Sequence, residues 1–271
     1  MSSLKKNNVS IKGAGTVPMI FAHGFGCDQN MWRYVAPAFE SDHRVILFDN
    51  VGAGDSDLSA YDRTKYSTLQ GYADDVLDIC RELDLHDVVF VGHSVSAMIG
   101  LLAAVKEPRR FGRLILVAPS PRYINDVDYF GGFTQSDIMG LLELLDSNYM
   151  AWSSMLGPTI MGNADRPELG AELTGSFCRT NPQIAQHFAR VIFLSDNRAD
   201  LPKIEIPSLI LQCSQDAIAP SAVGDYVHRN LAGSKLVQLQ ATGHCPNLSA
   251  PEETIAAIRS FLAEPVATQA A

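Results

Sequence analysis

Short, β-branched and nearly continuous apolar runs recur along the chain at residues 18–23, 44–48, 87–92, 113–118, 206–213 and 235–239. A strand shielded on both faces reads this way, whereas a strand with one wet face alternates. Helical spacing separates several of the runs. Tyr72, Val76, Ile79, Cys80 and Leu83 share one face of a helix over 68–83, and 94–105 predicts a second helix directly after a strand. Strand and helix in alternation predict a mostly parallel α/β sheet. Near the end, Ser249-x-x-Glu252 predicts a capping box that opens a last helix through Leu262.

Between 118 and 206 the alternation stops, and amphipathic helical stretches follow one another with no convincing strand. Thr134-x-x-Asp137 stands ahead of Ile138, Leu141, Leu142 and Leu145, and Asn181-Pro182 ahead of Ile184, Phe188, Val191 and Ile192. Both are helix start signals. So long an excursion is unusual as a loop, which predicts a helical insertion laid over the sheet.

Composition narrows the class. The 271 residues are 46% hydrophobic and 19% charged, as in an ordinary globular protein of one large or two small domains. The net charge of −9 repels a phosphate backbone or an anionic lipid surface, so no nucleic-acid or membrane partner is expected. No uncharged apolar run approaches the roughly 18 residues of a membrane span, and Lys5 and Lys6 are followed by no signal-peptide core. The expected location is the cytoplasm. Cys27, Cys80, Cys178, Cys213 and Cys245 form an odd set without C-x-x-C spacing and predict buried structural thiols.

The segment richest in chemistry is Val88-Val89-Phe90-Val91-Gly92-His93-Ser94-Val95-Ser96, an apolar strand running into a turn and a small-residue helix. A serine there takes a strained backbone that lifts its hydroxyl above the sheet edge, and its neighbours must be small for strand and helix to pack. Gly92 and Ser96 are small, although the strict G-x-S-x-G pattern has glycine where Ser96 stands. A serine hydroxyl also needs a base to take its proton and a third group to orient that base. After the strand at 206–213 comes Asp216, and after the strand at 235–239 comes Gly243-His244. Ser94, Asp216 and His244 thus follow the chain order Ser, acid, His, on loops at the ligand-binding edge of a parallel sheet.

Backbone N–H groups must also await the oxyanion, and the two expected donors are Val95, after the serine, and Phe25 in the loop His23-Gly24-Phe25-Gly26. His23 supports that loop and His93 packs beside the serine turn. His43, His86, His187 and His228 look like ordinary surface or helix residues. No H-E-x-x-H occurs, and Gly52-Ala53-Gly54 lacks the glycine at 57 that a nucleotide fingerprint needs, Asp57 standing there. No metal or cofactor is expected.

Taken together, Gly92-His93-Ser94-Val95-Ser96-Ala97-Met98-Ile99, His23-Gly24-Phe25-Gly26, Asp49-Asn50-Val51-Gly52, Pro119-Ser120-Pro121-Arg122-Tyr123, the stretch 128–133, Pro207–Cys213 as a run, and Gly243-His244-Cys245-Pro246 resemble one group of proteins. It is the RsbQ-like subgroup of the α/β-hydrolase fold family, which takes in a bacterial stress-response regulator and the plant strigolactone and karrikin receptors. The resemblance implies a core domain (1–120 and 203–263), a V-shaped four-helix cap (121–202) inserted after the sixth strand, and a flexible tail (264–271). It implies a Ser94-His244-Asp216 triad, oxyanion donors at Phe25 and Val95, and an apolar pocket walled by Phe25, Phe133, Trp152, Phe193 and, as a further candidate, Phe177. The activity implied is serine hydrolysis of an ester or lactone of a small apolar molecule. The alternative is a ligand-binding signalling protein that turns over slowly and acts through a partner protein. A dehalogenase or epoxide hydrolase on this fold would carry aspartate at position 94.

Overall fold

The computed structural model describes residues 2–265. Among them, seven strands form one sheet: β1 (Ser10–Lys12), β2 (Val17–Ala22), β3 (His43–Phe48), β4 (Val88–His93), β5 (Phe111–Val117), β6 (Ser208–Gln215) and β7 (Ser234–Thr242). Their order is β1-β3-β2-β4-β5-β6-β7, and only β1 runs antiparallel to its neighbour. Every residue of β4 is buried, which is why its sequence does not alternate. β7 closes the sheet as an edge strand, with most residues only half covered. The apolar runs in the sequence mark β2 to β7. β1 carries no such signal, because three residues with an exposed face are too short to show a period.

The helices are α1 (Ser3–Lys6), α2 (Leu69–Glu82), α3 (Val95–Lys106), α4 (Gln135–Ser147), α5 (Tyr149–Met161), α6 (Pro167–Arg179), α7 (Pro182–Phe193), α8 (Ser221–Asn230), α9 (Pro246–Ser249) and α10 (Pro251–Leu262). α4 to α7 form the helical excursion. Thr134 and Asp137 close the reciprocal capping box of α4, and the Asn181 side chain accepts from the amides of Gln183 and Ile184 to open α7. α5 and α6 pack along each other, and α4 touches both α5 and α7.

Two expectations change. The four helices follow the fifth strand of this chain, not a sixth, because residues 3–6 ahead of β1 form a helical turn instead of another strand. The Ser249 capping box does not form. Pro251 starts α10 with Ala250 as its cap, while the Ser249 hydroxyl is spent within α9 on the Cys245 carbonyl at 3.2 Å. Glu253 reaches instead to the amides of Gln240 and Ala241 at the end of β7. Of the expected tail, 266–271 lie outside the described residues, and Glu264 accepts through its carbonyl from Arg113.

β3 lies on one side of β2 and β4 on the other. The loops leaving the carboxyl ends of β2 and β4 therefore diverge and leave a crevice, the usual ligand position of an open parallel sheet.

Candidate active site

Ser94 stands between β4 and α3 with φ 55° and ψ −122°, outside the range an L-residue adopts freely. Such a conformation costs roughly 1–3 kcal/mol and survives only where its surroundings over-determine it. The Ser94 amide donates to the Val117 carbonyl at 2.8 Å, which pins the turn to β5. Gly92 is required: a Cβ there would lie 2.4 Å from the Ser96 carbonyl oxygen. Where the strict pattern has glycine, Ser96 is buried and donates through Oγ to the His23 carbonyl at 2.5 Å, tying the turn to the loop after β2.

The three distant side chains converge. His244 Nε2 is 2.7 Å from Ser94 Oγ, and His244 Nδ1 is 2.7 Å from Asp216 Oδ2. A carboxylate only accepts, so Nδ1 carries the proton and Nε2 is bare toward the serine hydroxyl. Asp216 Oδ1 accepts from the amides of Ile218 and Ala219 at 2.8 and 3.0 Å. Burial alone would raise this carboxyl, but the charge and hydrogen bond of His244 and the two amides outweigh it and hold Asp216 below the usual carboxylate range. The His244 ring is thereby oriented, and a positive charge on it would have a counter-charge in place.

Phe25 lines the same cavity as Ser94 and Val95 follows Ser94 at the start of α3; among the described residues no protein acceptor is found for either backbone amide. Val95 opens α3, so its N–H also lies at the positive end of a helix. His23 braces the Phe25 loop. One ring nitrogen bonds the Gly24 carbonyl at 2.8 Å and the other accepts from the Asn50 amide at 3.0 Å.

Over Ser94 lies a narrow apolar cavity of about 40 Å³. Phe25, Phe177 and Phe193 wall it. Trp152 and Phe133 do not line it. Trp152 is one layer back, edge-on to Phe25 with centroids 5.9 Å apart, because the loop aromatic takes the inner position. Phe133 is held in the loop before α4, where its amide donates to the Tyr123 carbonyl. Tyr123, Cys27, Ile192, Ile218 and Cys245, none of them a candidate pocket residue from the sequence, also line the cavity. Ile218, Cys27 and Cys245 each lie within two residues of a candidate site residue, a signal that was available; Tyr123 was legible only as part of a motif.

Burial pushes the Cys27 thiol up to about 12 and raises Cys245 strongly as well, so neither is a competing thiolate beside the serine. Cys178, expected buried, is exposed on α6. Larger grooves exist elsewhere. One of about 760 Å³ lies at the opposite end of the sheet among Pro108, Arg113, Glu205 and Phe261, and its lining contains no serine, threonine, cysteine or histidine. No group of His, Cys, Asp and Glu among the described residues could hold a metal, and no helix among them is long and apolar enough to cross a membrane.

The chain matches the model of the alpha/beta hydrolase family over residues 19–257. It is 41% identical to the Karrikin insensitive 2 receptor CA of Petunia hybrida, over 92% of this chain and 93% of that protein. It is 37% identical to the strigolactone esterase D14 of Arabidopsis thaliana, over 96% of this chain and 97% of that one. Among solved structures, a hydrolase from Oleispira antarctica superposes with a TM-score of 0.94 at 41% identity, over 97% of both chains. The likeness to the plant karrikin and strigolactone proteins that the motifs suggested holds along nearly the whole length. Strained serine turn, converged acid and histidine, and these similarities agree, and the chain belongs to the alpha/beta hydrolase family.

Proposed function

We propose that this protein is a serine hydrolase that cleaves an ester or lactone of a small apolar molecule. Ser94 Oγ attacks the carbonyl carbon while its proton passes to His244 Nε2. The oxygen of the tetrahedral adduct becomes an anion and is held by the Phe25 and Val95 amides. As the C–O bond breaks, His244 returns the proton to the leaving alkoxide; water, deprotonated by His244, then attacks the acyl carbon, and as the acyl–Oγ bond breaks His244 returns that proton to Ser94 Oγ. Asp216 holds the imidazole in the required tautomer throughout. The observation that carries this reading is the chain of contacts Ser94–His244–Asp216, two hydrogen bonds of 2.7 Å in a buried site. The apolar wall of Phe25, Phe177 and Phe193 favours an uncharged substrate.

Ser94→Ala tests it: turnover of p-nitrophenyl acetate should fall by about 10⁴- to 10⁶-fold, and turnover at the wild-type rate would refute the assignment.

A second reading draws support from the relatives whose names call them receptors. In that reading the same site binds its ligand, turns over slowly, and the loaded protein engages a signalling partner. Intact-mass analysis during turnover separates the two: an adduct that persists at one per chain favours the receptor, while sustained multiple turnover favours the enzyme.

A further inference from the structure

His93 is the last residue of β4, next to Ser94, and its ring is buried. One nitrogen, Nε2, lies 2.8 Å from the backbone carbonyl oxygen of His244. A carbonyl can only accept, so Nε2 carries the proton and donates. The other nitrogen, Nδ1, has no partner among the described residues and faces the loop after β2, where a Cβ on Gly24 would come within 2.6 Å of it. The two imidazoles lie 5.1 Å apart, centroid to centroid, with planes inclined by 53°. From the other side, the His244 amide donates to the Ile160 carbonyl at the end of α5. The main chain of His244 is therefore held at both ends, by a cap helix through its N–H and by the serine turn through its C=O.

We propose that His93 is a positioning residue for His244: its Nε2–H fixes the His244 carbonyl to the serine turn, so that base and nucleophile are registered by a strut 151 residues away in sequence from the loop it holds. The proposal rests on the assignment of Ser94 and His244 as nucleophile and base. The need for a neutral ring follows from the surroundings. A second proton on Nδ1 would meet the Gly24 backbone with no acceptor, and its charge would oppose the one forming on His244. Burial above all, together with the His244 charge, accordingly lowers this imidazole from its ordinary value to about 3. An amide or an imidazole can supply the donor; an apolar side chain of similar size fills the space without it.

Three variants separate the strut from mere packing. His93→Gln places an N–H close to the position of Nε2, His93→Asn carries the same amide but falls short, and His93→Met fills the volume without a donor. With p-nitrophenyl acetate, Met and Asn should lower kcat by about 10- to 100-fold with KM within about twofold, as displacement of a catalytic group by an ångström does. Gln should recover most of the loss. A smaller folded fraction would also lower kcat, and thermal melting of each variant reports that fraction. Wild-type kcat in both Met and Asn, or an equal loss in Gln and Met at equal melting temperature, overturns the inference. If Met does not fold, the comparison of Asn with Gln decides it alone. Ser94→Ala run alongside keeps the failures apart: turnover in that variant sinks the triad assignment, whereas an inactive Ser94→Ala with an unaffected His93→Met sinks only the strut.

Discussion

The amide of His244 donates a 2.8 Å hydrogen bond to the carbonyl of Ile160, so the loop carrying the proposed base hangs from the last turn of helix α5. The junction is reinforced next door. Asn163 Nδ2 donates to the carbonyls of both Met161 and Thr242, and Gly243 packs against the Met161 carbonyl. Helix α5 and the His244 loop are thus joined through the His244 amide and the Asn163 side chain, and a displacement of one should move the other.

Gly243 is the position where that junction is tightest. Its φ is +79°, and an added Cβ would sit 1.8 Å from the Met161 carbonyl oxygen. Gly243→Ala should cost about 1–3 kcal/mol of stability from backbone strain alone. It should also lower kcat by about 10- to 100-fold through displacement of His244. Thermal melting and steady-state turnover of p-nitrophenyl acetate check the two effects separately, and an unaltered kcat would break the proposed link.

Ser96 is the residue that departs from the strict serine-turn pattern, and its hydroxyl ties the turn to the His23 carbonyl. Restoring glycine there should therefore weaken the protein. Ser96→Gly removes the shorter of two hydrogen bonds to the His23 carbonyl, Asn50 Nδ2 donating the other at 3.4 Å, a loss of about 0.5–1.5 kcal/mol that chemical denaturation would register. A more stable variant would mean that the hydroxyl contributes nothing beyond its small size.

Asp216→Asn keeps an oxygen for the Ile218 and Ala219 amides while turning an NH₂ toward His244, which favours the wrong imidazole tautomer. kcat should fall by about 10⁴-fold with the fold retained, measured by turnover alongside circular dichroism. The same group shapes acid stability. Its native value lies below the unfolded one, so the unfolded chain takes up the proton first as pH falls. The stabilisation is present above the ordinary carboxylate range near pH 4 and is lost as pH drops through the depressed native value. The asparagine variant should show a shallower loss of stability below about pH 4; a slope as steep as that of the wild type would contradict the depressed native value.

Phe193 walls the 40 Å³ cavity and stands edge-on to Tyr123 with centroids 5.1 Å apart. A space that small should favour short acyl groups. Phe193→Ala should shift kcat/KM from p-nitrophenyl acetate toward the hexanoate ester. It should also destabilise the protein by about 3–5 kcal/mol, as truncation of a buried aromatic does. An unchanged acyl-length preference would show that the wall lies elsewhere.

By itself the sequence determined the strands β2 to β7, the serine turn and the order of the three proposed site residues. Those features are local: continuous apolar runs report strands covered on both faces, and Gly92 and Ser96 are small because the chain crosses itself there. Asp216 and His244 were legible because each directly follows a strand whose end lies at the ligand-binding edge. The tertiary structure alone decided that Tyr123 faces the cavity while Trp152 stands behind Phe25, since both are buried aromatics and only cap packing ranks them. It also decided that Ser249 caps nothing and that Ile160 and His93 hold the two ends of the His244 main chain. A bond to a backbone carbonyl leaves no side-chain signature at the accepting residue, so such contacts emerge only once distant segments have been brought together.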